Sequence, residues 1–195
     1  VVMNKKSLII FLVVALFIVI SSYLTGKNTK VENDYLKGKY NIEIKIKDYG
    51  VIDATLDADN TPITVTNFID LVKSGYYNGL KFHRIINGFM MQGGEGESRK
   101  TIKGEFSSNG INNKISHVRG TISMARSSAP DSASTQFFIV QSDSTYLDGN
   151  YAAFGTVTKG MDVVDKVCEF AIVEDDNGTV SEENQPVIDY IKVID

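Results

Sequence analysis

Short apolar runs of strand length, each cut off by glycine, asparagine or aspartate, fill residues 40–195 and leave room for only two helices. Residues 41–47 alternate through Ile42, Ile44 and Ile46, and residues 50–56 follow the turn at Asp48, Tyr49 and Gly50, so the two predict a hairpin. Residues 82–86 and 89–92 flank Asn87 and Gly88, a pair suited to a tight hairpin turn. Further strands are expected near residues 120–125, 136–140, 153–157 and 186–194, the last alternating through Val187, Ile188, Tyr190, Ile191 and Val193. Thr61 and Pro62 open a helix in which Val65, Phe68, Ile69 and Val72 recur at helical spacing before Gly75, and residues 161–170 suit a second. About eight strands and two helices predict a mainly β fold, a closed eight-stranded antiparallel barrel capped by two α-helices.

The first residues follow another rule. Lys5 and Lys6 precede residues 8–20, which are apolar throughout, and extension to Leu24 reaches about 17 residues, the shortest length that spans a bilayer. Residues 1–25 therefore read as a signal peptide or transmembrane anchor, 26–39 as a polar linker and 40–195 as one folded domain. No clear small-x-small cleavage site precedes Lys27, and no cysteine follows the run as a lipoprotein would need, so the uncleaved anchor is favoured. The expected location is the cell membrane, single-pass, N-terminus inside and domain outside; cleavage would make the protein secreted.

Lys5, Lys6, Lys27 and Lys30 are the only charged residues among the first thirty, leaving 16 basic against 24 acidic residues in the remainder, formally −8. So acidic a body is not expected to hold nucleic acid by its phosphates. Cys168 is the only cysteine, which excludes an internal disulfide and a multi-cysteine metal site and predicts a small buried side chain. His83 and His117 fall at no spacing that pairs either with a nucleophile or with metal ligands, and neither a Gly-x-Ser-x-Gly elbow nor a Walker loop is present. The acidic stretch 174–178 reads as a solvated turn rather than a calcium loop. What remains is FHRIINGFMMQGG at 82–94, an arginine among large apolar side chains on a hairpin. Alternation can leave Arg84 and Gln92 facing a cleft, although this segment alone reads equally well with Arg84 as a surface residue over apolar neighbours.

Two further blocks decide between those readings: ISMARSSAPDSASTQFFIV at 122–140 and YLDGNYAAFGTV at 146–157. In order with FHRIINGFMMQGG they resemble the cyclophilins, over residues 40–195 and with the look of the compact bacterial members. The resemblance implies an eight-stranded barrel with two helices and peptidyl-prolyl cis-trans isomerase activity. Residue by residue, it implies Arg84 as the catalytic arginine with Gln92 beside it. Phe89, Met90, Phe138 and Leu147 would wall the pocket for the proline ring. Ala125, Arg126 and Gln136 would line the groove for the substrate backbone, Arg126 standing where many eukaryotic members carry asparagine. Tyr146 and Tyr151 stand where many members carry tryptophan and histidine. Loss of the indole at 146 predicts weak binding of cyclosporin, since apolar contact and an N–H donor both go.

The reaction itself explains why such residue types suffice. An X-Pro bond resists rotation because the nitrogen lone pair is delocalised into the carbonyl, with a barrier of about 18 to 20 kcal/mol. A guanidinium that reaches the prolyl nitrogen as it pyramidalises holds that lone pair out of conjugation, so the contact strengthens toward the twisted state. Arginine suits the task because it stays protonated and presents its donors in a fixed fork. No metal, cofactor, proton transfer or covalent intermediate is called for. The expected partners are proline-containing polypeptides, among them unfolded or exported clients, and the membrane through residues 8–24; the chain is expected to be a monomer. A second reading is a proline-binding chaperone or scaffold with incidental isomerase activity, and a third, an adhesin, rests on the tether alone. His83 is expected on the opposite face from Arg84, in a structural role.

Overall fold

The computed structural model describes residues 34–194. The expected anchor at 8–24 and most of the linker lie outside the described residues, and no helix among the described residues is long and apolar enough to cross a membrane. Eight strands, β1 (Lys39–Ile46), β2 (Gly50–Asp57), β3 (Phe82–Ile86), β4 (Met90–Gly93), β5 (Thr121–Met124), β6 (Phe137–Val140), β7 (Ala153–Lys159) and β8 (Ile188–Ile194), form one antiparallel sheet. Its order is β3-β4-β6-β5-β7-β2-β1-β8. Two helices, α1 (Pro62–Lys73) and α2 (Met161–Phe170), pack against it.

Alternation sets the sheet's inner face. Ile42, Ile44 and Ile46 of β1 and Ile52, Ala54 and Leu56 of β2 are buried, while the residues between them are partly or fully exposed. The alternation of β8 breaks after Ile188, because the register shifts at Lys45 and Ile46; the bulge turns Ile188 and Ile191, three residues apart, to the core. Beneath the sheet Phe68 of α1 meets Tyr77, Phe137 and Phe154 at ring separations of 5.0, 5.4 and 5.0 Å.

The expected closed barrel is corrected to a curled, open half-barrel. Between the end strands β3 and β8 only one bridge forms, Lys81 to Val187 just outside both. The rest of the β3 edge is taken by residues 178–180, where Ile85 N–H bonds Gly178 O (2.8 Å) and Val180 N–H bonds His83 O (3.0 Å). Gly178 makes that approach possible: its φ is +82°, and a Cβ there would lie 2.4 Å from Ile85 O.

The start of α1 also differs from a local reading. Thr61 makes no side-chain cap; the buried Glu105 carboxylate, from a distant loop, accepts the N–H of Ile63 (3.1 Å) and Thr64 (2.7 Å) instead. In α2 Cys168 is buried as expected, and burial pushes its thiol up to about 12, so it stays protonated.

Candidate active site

All residues of β6 are buried, so its apolar run FFIV serves two faces. Phe137 and Ile139 join the main core, while Phe138 and Val140 form a small second cluster with Met90, against which Ile86, Phe89, Ala125, Leu147 and Tyr151 pack. That second cluster does not fill its space. It leaves a hollow of about 200 Å³ bordered by Arg84, Phe89, Met90, Gln92, Ala125, Arg126, Phe138, Leu147 and Tyr151. Nine expected site residues, 67 positions apart at the extremes, thus meet around one pocket.

Arg84 faces Gln92 across the β3–β4 ladder. Its Nη1 donates to Gln92 Oε1 (3.3 Å) and its Nε donates to the Asn177 carbonyl (2.8 Å), so the guanidinium is held from two sides. Nη2 has no hydrogen-bond partner among the described residues. Gln92 in turn donates from Nε2 to Gln136 Oε1 (2.9 Å), which fixes its amide orientation. The turn that presents the Asn177 carbonyl is built by Asp175, whose carboxylate accepts the N–H and hydroxyl of Thr179. Stretch 174–178 is a turn, as expected, yet it also pins the arginine.

Two expected residues lie off the hollow. Gln136 borders a neighbouring depression of about 340 Å³ that shares Gln92, Ala125 and Arg126 with the first. Tyr146 is 69% exposed and stands at the rim, its ring 5.9 Å from that of Phe89.

His83 is not on the opposite face. It is the extra residue of a bulge between Phe82 and Arg84, which breaks the alternation and brings its Nε2 to 3.5 Å from Gln92 Nε2. Its Nδ1 is buried and unbonded, 3.7 Å from a Glu95 oxygen.

The other histidine does meet a hydroxyl and a carboxylate, which spacing did not reveal. His117 Nδ1 lies 2.8 Å from Asp148 Oδ1, and Nε2 lies 2.9 Å from Ser123 Oγ. A carboxylate only accepts, so Nδ1 carries the hydrogen and Nε2 accepts from the serine. Burial pulls the imidazole below its ordinary value, and Asp148 pushes back without prevailing, which keeps the ring neutral. Ser123 is fully buried, so its hydroxyl has no path to a substrate. The trio is a clamp: Asp148 also accepts from Ser116 Oγ (2.5 Å) and the His117 N–H (2.8 Å), holding the loop that carries Leu147 and Tyr151. The imidazole lies nearly parallel to Phe138, 6.1 Å between centroids, and supports that wall from behind.

An antiparallel half-barrel with an arginine at the lip of a hollow walled by Phe89, Met90, Phe138 and Leu147 defines a class, and comparison with known proteins agrees. Residues 41–193 match the family described as cyclophilin type peptidyl-prolyl cis-trans isomerase/CLD, so the chain belongs to that family of enzymes. It is 45% identical over 127 residues to peptidyl-prolyl cis-trans isomerase A of Dickeya dadantii, covering 62% of this chain and 67% of that one. Likewise it is 45% identical over 120 residues to peptidyl-prolyl cis-trans isomerase B of Escherichia coli, covering 56% and 73%. The fold is similar to a solved cyclophilin type peptidyl-prolyl cis-trans isomerase of Cryptosporidium parvum, with a TM-score of 0.70, 26% identity and coverage of 81% of this chain and 99% of that one. A structure of that protein in the presence of the dipeptide Ala-Pro matches with a TM-score of 0.67, 26% identity and coverage of 80% and 99%.

Proposed function

We propose that the chain accelerates rotation about X-Pro bonds in polypeptides that fold outside the cytoplasm, with Arg84 as the catalytic residue. The observation that carries this reading is the pairing of a hollow of about 200 Å³ walled by apolar side chains with a guanidinium fixed at Nε and Nη1 and left with an unengaged Nη2. Phe89, Met90, Phe138 and Leu147 hold the proline ring and exclude water, so the acyl side of the bond is the part that turns. Donation from Arg84 to the prolyl nitrogen grows as that nitrogen pyramidalises, and a contact that is stronger in the twisted state than in either planar state lowers the barrier. Gln92 positions the arginine. The extracytoplasmic setting is supported by the apolar run at 8–20 behind Lys5 and Lys6.

Arg84→Ala is expected to lower kcat/KM for a proline tetrapeptide about 100-fold, the scale of removing one well-aimed donor. Its circular dichroism and its peptide Kd are expected to stay near those of the wild type. Unchanged turnover would overturn the mechanism, and a cell whose growth defect is rescued by this variant would point to the chaperone reading. Intact masses of the protein from membrane and from medium test the location, a membrane species retaining Met3 to Leu24 being the expected result.

A further inference from the structure

The depression beside the proline hollow is polar, and its lining holds a cation but no acid. Of the residues that border it, Arg126, Gln136, Ser134 and Ser127 bring hydrogen-bond donors that nothing else uses, and none is acidic. Arg126 donates from Nε to the Asn150 carbonyl (2.8 Å) and from Nη1 to the Ser127 and Ser128 carbonyls (2.8 and 3.3 Å), which leaves Nη2 without a partner among the described residues. Gln136 accepts from Gln92 through Oε1, and its Nε2 donors are unengaged. Among the described residues Ser134 Oγ makes no hydrogen bond, and Ser127 Oγ only accepts one, from Ala129 N–H. Asp131, next in sequence to Ser132, is occupied by Gly104 N–H and the Asn109 amide.

The arginine is also held on both faces. Its guanidinium lies 4.9 Å from the ring centroid of Phe106 and 4.8 Å from that of Tyr151, sandwiched between the two. It forms no ion pair with any carboxylate among the described residues, and neither does Arg84. Two uncompensated cations therefore line a groove in a body whose formal charge is −8.

The two hollows share Gln92, Ala125 and Arg126, so a chain with its proline in the first reaches the second when the residues before the proline lie along Ala125 and Arg126. An extended chain sends successive side chains to opposite sides. The residue directly before proline then points away, and the one before it returns to the protein over the second hollow.

We infer that Arg126, with Gln136 and Ser134, makes this isomerase select an anionic side chain, a carboxylate of glutamate or aspartate, at the second position before proline. The inference rests on the isomerase reading above. It deepens that reading, because the same groove then distinguishes among proline sites rather than accepting all of them.

The test is kcat/KM, measured by exchange NMR, for the tetrapeptides Glu-Ala-Pro-Phe, Gln-Ala-Pro-Phe and Lys-Ala-Pro-Phe with blocked termini. Wild-type protein is expected to prefer Glu over Gln about fivefold and over Lys about tenfold, as a charge-assisted bond in a half-open groove would give. The preference should shrink in about 0.5 M NaCl, where the Debye length falls to roughly 4 Å. In Arg126→Gln the three peptides should converge to within about twofold, whatever the variant's overall rate. Arg126→Lys, which keeps the charge, should retain part of the preference, and the salt series on wild type decides the matter if either variant fails to fold. A phosphoserine peptide in place of the Glu peptide separates the two sources of anion; turnover above Glu would extend the site to phosphorylated chains. Equal wild-type rates for Glu, Gln and Lys, or a preference that survives Arg126→Gln, overturn the inference, whereas absence of turnover on all peptides overturns the isomerase reading instead.

Discussion

Strands β4 and β6 present two apolar faces that look alike in sequence and differ in what covers them. On one face Met91, Phe137 and Ile139 are fully buried, and Phe137 sets its edge against Phe68, Tyr77 and Phe82 at 5.4, 5.5 and 6.0 Å. On the other, Met90, Phe138 and Val140 are nearly as buried, yet above them a hollow persists. The first face is closed by Phe68 of helix α1 together with Tyr77 and Phe82. The second is walled in part by the loop that Asp148 clamps, while the turn built by Asp175 holds Arg84 at the lip, and neither fills the space between. Packing against a helix makes stability; clamping a loop keeps a binding site open at little cost to the core.

Truncation on either side separates the two roles. Phe137→Ala removes a ring with three edge contacts and is expected to cost about 3 to 5 kcal/mol, read as a lower denaturant midpoint, while the rate per folded molecule stays near normal. Leu147→Ala, on the half-buried loop wall, is expected to raise KM severalfold and to cost about 1 kcal/mol of stability, since little closed-packed area is lost. If the Leu147 variant lost as much stability as the Phe137 variant, the hollow would be core with a gap in it, and the division between the faces would fail.

The same division decides what the sequence made legible. The main-core face follows from alternation in β1 and β2 and from helical spacing at Val65, Phe68, Ile69 and Val72, because burial there depends on local period. The extents of the strands and helices were readable to within a few residues for that reason. The walls of the hollow were legible only through three blocks read together with a family resemblance, since Phe138 and Leu147 taken singly are indistinguishable from core residues. What could not be read depends on contacts between distant segments. The carbonyl of Asn177 on Arg84, the Glu105 carboxylate on the first turn of α1, and the pairing of His117 with Asp148 join residues 93, 41 and 31 positions apart. Nor does alternation survive a bulge: His83 and the Ile188 end of β8 were both placed by a period that one inserted residue resets. The barrel's seam was misread for a related reason, because no sequence period announces that residues 178–180 will occupy the edge that β8 would need.

A smaller effect of pH separates the clamp from the core. His117 is held below its ordinary value of 6.5 by burial, against the pull of Asp148, and His83 is lowered by burial and by Arg84, against Glu95. For both rings the folded state binds a proton less readily than the unfolded chain. Their contribution to stability is therefore complete above about pH 6.5 and is lost progressively as the pH falls from there toward each folded value. A proton on His117 would also turn Nε2 from acceptor to donor toward Ser123, leave the serine hydrogen without its acceptor and bury a charge behind Phe138 and Leu147. Denaturant midpoints are expected to drop between pH 7.5 and 5.5, by less than the Phe137 truncation costs, with KM rising over the same interval. His83→Gln should remove only part of the fall in stability and leave the rise in KM, because the loop wall answers to His117 alone. An imidazole resonance of His117 that titrates above 6.5, or a KM that is flat over that range, would show that the wall is held by packing after all, and the contrast between the two faces would reduce to one of degree.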